Sequence, residues 1–339
     1  MAPQTDVEEL QTAWRALADD AGSGEGWRTI PIAAGLPVRV RAGRYFPENS
    51  EALLVGFTAS HLPSATHLPQ GRGFAVSLVD LDQRGEASWV CLSRSASGSR
   101  DLFATMSADV LGVMSTAIGI SEEKLLHVFL ARIAAWQYFM EHGGAPVLGD
   151  DAEIGLFGEL LMLTDLLASG LEAKVCVEAW RGPGGGLHDF ELGNGAIEVK
   201  SSISAQGMPV TISSMAQLDS SPSRPLFLAA IRLVPDGTGT NLPELVSTLT
   251  AQLLPEQQAI YRFKSLLLRA GYLESHSGRY QRRFVRHAMR LLTVDATFPR
   301  LTRANVPPEI LETKYELDLD RFPAPSNELS EALKHLGVH

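Results

Sequence analysis

The sequence predicts an α/β protein, α+β overall, with a β-rich N-terminal region and a C-terminal region in which a mixed sheet is flanked by helices. Three observations carry this expectation. Residues 27–95 pass through short β-patterned segments separated by Gly, Pro and Asn signals. Residues 187–202 read as a single β-hairpin. The run Pro225–Val234 is continuously apolar, as for a strand buried on both faces, and it lies among helical segments.

Residues 5–19 carry Val7, Leu10, Trp14 and Leu17 at helical spacing, and Ala21–Gly26 breaks the pattern. Five strands are then expected, at Thr29–Ala33, Val38–Arg44, Leu53–Thr58, Phe74–Leu81 and Ala87–Leu92. They would form a largely antiparallel sheet of an accessory domain. Two helices follow, Leu102–Ile118 and one capped by Ser121-Glu122-Glu123 that runs to about Met140. Gly143-Gly144-Ala145-Pro146 ends it, so the domain limits are set at 1–145 and 146–339.

The second domain opens with a helix at Asp151–Ser169 that is apolar nearly all round and is therefore buried. Glu159 sits in its middle, where a buried carboxylate must be neutral, paired or near a cation. Val175–Trp180 is expected as a strand, and Gly182-Pro183-Gly184-Gly185-Gly186 as a flexible turn. That turn lacks the Gly-Lys-Ser/Thr ending of a phosphate loop and leads into no helix, so it is read as slack beside the hairpin. Further elements are strands at Pro209–Ser213, Pro225–Val234, Arg282–Val294 and Lys314–Leu319. Helices are expected at Leu242–Leu254, at Glu256–Leu268 and from Ser326 onward.

In the hairpin, Asn194-Gly195 is the dipeptide that a type I′ turn favours. That register sets Glu191 opposite Glu198 and Asp189 opposite Lys200. All four then share one face, while His188, Phe190, Leu192, Ile197 and Val199 take the other. Like charges across a ladder are destabilising unless neutralised. Two readings stand open on spacing: a divalent-cation site built from the carboxylates, or a solvated face with an Asp189–Lys200 ion pair.

Asp189 and, nine positions on, Glu198-Val199-Lys200 resemble the D…(D/E)xK signature of the PD-(D/E)xK nuclease superfamily. Glu159 fits the further acidic residue on the preceding helix. The helix Gly155–Leu163, His-Asp-Phe-Glu, Ile-Glu-Val-Lys-Ser-Ser and Ile-Ser-Ser-Met-Ala-Gln-Leu-Asp together resemble an uncharacterised bacterial group within it. The resemblance covers residues 150–235, and the Pro that usually precedes the first Asp is replaced by His188. It implies a restriction-endonuclease-like core and Mg²⁺-dependent endonuclease chemistry on DNA, with Mn²⁺ as a substitute, in a bacterial restriction or phage-defence system. Asp189, Glu198 and the Val199 carbonyl would ligate the metal, with Glu159 completing the shell. Lys200 would orient or activate water, Gln217 would assist as a catalytic-site residue, and Glu191 would stand behind the ligands. Methyltransferase or ATPase/helicase partners and a homodimer are implied as well. The alternative is a non-catalytic DNA-binding or assembly subunit of a defence complex that keeps the fold.

Net charge is −10, which argues against indiscriminate nucleic-acid binding. Between Tyr261 and Arg303, however, ten Lys/Arg face only Glu274 and Asp295. Arg279, Arg282, Arg283, Arg286 and Arg290 in this segment are expected either to hold a DNA backbone or to salt-bridge the acidic remainder. No apolar run reaches the ~20 residues of a membrane span. The acidic N-terminus lacks the apolar core of a signal peptide, and Cys91 and Cys176 read as buried free thiols, so a cytoplasmic protein is expected. Two cysteines exclude a structural zinc ribbon, and none of the nine histidines shows HxxxH or HExxH spacing.

Overall fold

The computed structural model describes residues 4–19, 25–33, 36–58, 62–64, 68–81, 88–116, 119–142 and 147–338. Most of the expected break at 21–26, residue Ala87, the last two residues of the helix expected to end at Ile118, and the domain junction at 143–146 lie outside the described residues. By its internal contacts the chain divides into two compact units. One is Met1–Ala145 with Leu273–Ser275; the other is Pro146–Tyr272 with His276–His339.

In the first unit, helix α1 (Gln4–Asp19) precedes strands β1 (Gly26–Ile32), β2 (Arg39–Phe46), β3 (Ser50–Phe57), β4 (Gln70–Gly71), β5 (Phe74–Val79) and β6 (Ser88–Arg94). They form one antiparallel sheet in the order β1-β2-β3-β6-β5-β4. The stripe read from the sequence explains why α1 docks. Leu10, Trp14 and Leu17 are buried, and Trp14 Nε1 donates to the Ala52 carbonyl at 2.9 Å. Glu51 is buried between Arg44 and Arg94, at 2.8 and 2.6 Å, which satisfies a charge that would otherwise be costly there. Helices α2 (Arg100–Thr116) and α3 (Glu122–Glu141) complete the unit, and the Ser121 side chain caps α3 by accepting from the Lys124 N–H.

The second unit is built on a mixed sheet. Strands β7 (Phe190–Leu192) and β8 (Gly195–Ser202) are antiparallel, β8 and β10 (Leu226–Asn241) are parallel, and β10 and β11 (Arg283–Thr293) are antiparallel, giving the order β11-β10-β8-β7. Along β10 the side chains alternate between two cores. Phe227, Ala229 and Ile231 enter the core made with helices α4 (Asp150–Ala168), α5 (Ala173–Ala179), α6 (Leu242–Leu253), α7 (Gln257–Arg269) and α8 (Leu329–His335). Leu226, Leu228 and Ala230 enter the opposite core, which includes residues of the two-stranded sheet β9 (Pro209–Ile212) with β12 (Tyr315–Asp318). This accounts for the unbroken apolar run.

Two expectations are corrected. Val175–Trp180 is not a strand: Ala173–Ala179 is helix α5, with Cys176, Val177 and Ala179 buried. Packing against α7 overrides the β-branched composition, and the Glu256 carboxylate satisfies the first-turn Lys174 N–H at 3.0 Å. The hairpin turn is also one residue earlier than Asn194-Gly195. Leu192 pairs with Gly195, so Gly193 and Asn194 form the loop, and only Gly193 has positive φ (+55°), the pattern of a type II′ turn. Gly195 is needed for close approach: a Cβ there would lie 2.0 Å from the Pro225 carbonyl oxygen.

Gly195→Ala is therefore expected to destabilise the protein by about 1–3 kcal/mol in urea unfolding, because a backbone oxygen cannot turn aside. Gly237→Ala, where a Cβ meets nothing within 4 Å, is expected to stay within about 0.5 kcal/mol of wild type.

Candidate active site

Asp189 is fixed before the hairpin begins. The N–H groups of Arg181 and Gly182 both donate to its carbonyl, at 2.8 and 3.1 Å, and Trp180 bridges to Phe190. Its side chain reaches across to β8, where Oδ2 accepts from the Val199 N–H at 2.8 Å. Phe190 pairs with Ile197, so continuing the ladder sets Asp189 opposite Glu198, not Lys200. The shift from the expected register is two residues, an even number, so the acids keep their common face.

Glu198 is buried at 2% exposure, and its Oε1 lies 2.9 Å from Lys200 Nζ, two residues along the same face. Glu159 comes from α4. Its approach depends on Gly158, where a Cβ would lie 1.8 Å from Ser201 Oγ and 3.7 Å from Val199 of β8. Its Oε2 accepts from the buried Trp180 indole N–H at 2.7 Å. A Cβ on Gly182 would stand 2.8 Å from Asp189 Oδ1 and 3.1 Å from Glu159 Oε2, so the two carboxylates converge on one point kept clear by a glycine. The turn 182–186 is thus ordered structure and not slack: the N–H groups of Gly184, Gly185 and Gly186 are bonded to the carbonyls of Arg181 and Gly182.

Electrostatics follow from this crowding. Burial, then repulsion by Asp189, pushes the Glu159 carboxyl well above its ordinary range, against the opposing Trp180 hydrogen bond. Burial raises Asp189 despite the Val199 N–H. Burial and Asp189 push Glu198 up to about 8. Lys200 is disfavoured by burial, but Glu198, Asp189 and Glu159 hold its ammonium above the usual range. Three acids thus share one lysine.

The remaining candidates stand elsewhere. Glu191 is exposed and lies 3.7 Å from Arg181. Gln217 serves its own turn, its Oε1 accepting from the Ser213 N–H at 2.9 Å. His188, which precedes β7, is buried, and burial lowers its pKa against the opposing charges of Glu191 and Asp219. Of the five arginines, four have internal tasks. Arg282 pairs with Glu153 (2.7 Å) and Asp150 (3.3 Å), Arg283 with Glu244 (2.7 Å), and Arg286 with Asp165, while Arg290 donates to the carbonyls of Leu319, Phe322 and Ala324. Three of these brace unit 2 against its own acids and Arg290 braces it against backbone carbonyls, while Arg279 is exposed. Sequence reasoning missed Trp180 as the donor to Glu159; a strand there would have given no reason to connect them.

A family model described as "Putative PD-(D/E)XK family member, (DUF4420)" matches residues 10–320. The chain belongs to this family. No curated protein matches it, and no solved structure does. PD-(D/E)XK members generally use divalent metal ions. Among the described residues no three His, Cys, Asp or Glu side chains form a ready-made metal cage. The donor set nevertheless suits a hard cation bound by one or two carboxylates and completed by water and substrate oxygens. The continued ladder sets Asp189 opposite Glu198, the donors are all oxygen, and Asp189 Oδ1 and Glu159 Oε2 converge on the point that Gly182 keeps clear. No helix among the described residues is long and apolar enough to cross a membrane.

Because Glu198 titrates near 8 when folded and near 4.5 when not, the folded protein holds a proton between those values that the unfolded chain has lost. This stabilisation is full below about pH 4.5 and is lost as pH rises through about 8. Metal-free protein should therefore weaken with rising pH by up to about 1.4 kcal/mol per pH unit from this group. Glu198→Gln should flatten the slope, as measured by urea unfolding across that range; Glu159 and Asp189 leave a residual slope of the same sign.

Proposed function

We propose that this protein is a Mg²⁺-dependent endonuclease that hydrolyses phosphodiester bonds in DNA, in a bacterial restriction or phage-defence setting. The observation that carries this reading is the convergence of Glu159, Asp189 and Glu198 around one lysine in a chain of this family. Asp189, Glu198 and the Val199 carbonyl would hold the ion, and Glu159 would take a place on the side cleared by Gly182. When bound, the cation supplies Lewis-acid polarisation of the scissile phosphate and a more acidic water.

The chain's own residues do the rest. Lys200, kept protonated by its acidic neighbours, orients the attacking water and offsets charge on the phosphate oxygens. The Val199 N–H fixes the Asp189 rotamer through Oδ2 and leaves Oδ1 directed at the cleared point. Trp180 holds Glu159 from behind. Gln217 and the arginines of β11 take no part in this mechanism.

Plasmid or oligonucleotide cleavage with Mg²⁺ or Mn²⁺ tests the proposal. Asp189→Ala and Lys200→Ala are each expected to lower the rate at least about a hundredfold while remaining folded. Equal rates in wild type and both variants, or cleavage unaffected by chelation, would sink it.

A further inference from the structure

The first unit carries a cavity of about 510 Å³, within the roughly 300–1,000 Å³ of small-molecule sites. Four segments meet around it: the β4–β5 turn, the link from β6 to α2, the first turn of α2 and the last turn of α3. The fold fixes this meeting. Gly73, in the β4–β5 turn, has a φ of +88°, and its carbonyl accepts from the Ser95 N–H at 3.0 Å. A Cβ on Gly98 would lie 2.2 Å from the Gly73 oxygen, so the two loops approach this closely only because both residues are glycine. Arg94 donates to the carbonyls of Ser95 and Gly98 at 3.2 and 3.0 Å, and it is itself held by the buried Glu51 at 2.6 Å. On the inner side Phe103 is buried, its ring centroid 5.5 Å from that of Trp14.

The lining has two chemistries. Leu102, Phe103 and Met140 are apolar, and Leu102 and Met140 are only half-buried, so part of their hydrocarbon surface faces the cavity. The polar part is cationic. Arg72 is exposed, makes no hydrogen bond or ion pair among the described residues, and is the one charged group among the described lining residues. Ser97 and Ser99 add hydroxyls, and none of these lining residues carries a carboxylate. In a chain of net charge −10, a concave surface with an arginine and no acid is complementary to an anion. An inorganic anion would leave the apolar part in water, and a wholly apolar molecule would gain nothing from Arg72.

We infer that this cavity binds a small amphipathic anion: an organic carboxylate, phosphate or sulfonate with an apolar body. Arg72 and the hydroxyls of Ser97 and Ser99 meet the charged head, and Leu102, Phe103 and Met140 cover the body. The site lies wholly within the first unit and uses none of the acids proposed for cleavage.

The test is fluorescence titration of the full chain with two dyes, anilinonaphthalene sulfonate and its uncharged counterpart phenylnaphthylamine. The sulfonate should bind saturably and more tightly than the neutral dye. Arg72→Gln should weaken the sulfonate about tenfold and leave the neutral dye unchanged, while Arg72→Lys should keep most of the sulfonate affinity. Met140→Gln should weaken both dyes about fivefold, because part of the apolar wall is lost. Arg72→Gln, a change at an exposed residue, should melt with wild type. Displacement of the sulfonate by decanoate would mark a fatty carboxylate as the ligand, and displacement by adenosine monophosphate a nucleotide; either supports the site. Equal sulfonate affinity in wild type and Arg72→Gln, a neutral dye bound as tightly as the charged one, or no saturable binding to wild type would overturn it.

Discussion

Three carboxylates and one lysine withdrawn from water at the junction of α4 and the β7–β8 hairpin are the constraint on which the rest of unit 2 depends. Burial alone disfavours every one of these charges, and it is the largest influence on each of their pKa values. The surrounding chain supplies partial relief: an indole N–H to Glu159, a backbone N–H to Asp189, and the Lys200 ammonium with the Asp189 backbone N–H to Glu198. A fold optimised for stability alone would replace such a set with apolar side chains of similar volume. Its retention in the core of the unit is what makes it a site and not a brace.

The turn 180–186 organises that junction. Its peptide groups fix the Asp189 backbone, its tryptophan fixes the Glu159 carboxylate, and its first glycine keeps the space between the two acids clear. Its later glycines bond internally, so they offer no N–H cradle of the kind a phosphate loop presents. What they provide is an exposed stretch without side chains beside the point where Asp189 and Glu159 converge. One segment thus carries the groups that hold both Asp189 and Glu159.

Some of this was legible in residue order. The all-apolar α4, the unbroken run of β10 and the alternation of β8 each have a period that only one local structure satisfies, and the strands formed where those patterns lay. Asn194-Gly195 pointed to a hairpin but not to its register. Contacts from Pro225 and Leu336 against Gly195, distant in sequence, decided which glycine turns and which packs. The error was even, so the face shared by Asp189, Glu198 and Lys200 survived it. Val175–Trp180 failed for the same reason in stronger form: seven residues carry too little local preference to resist packing against α7.

Charge was the least legible property. A local excess of arginine between Tyr261 and Arg303 is visible in the sequence, but partners are set by proximity in space. Arg282, Arg283 and Arg286 met Glu153, Glu244 and Asp165 across the fold, whereas Arg269 came to lie beside the glycine turn. The sequence by itself determined the strand and helix periods and the side on which the hairpin's acids project, because these depend on covalent geometry over a few residues. The tertiary structure alone decided the hairpin register, the Trp180–Glu159 bond and which arginines meet which acids, because each depends on groups that only folding brings within a few ångströms.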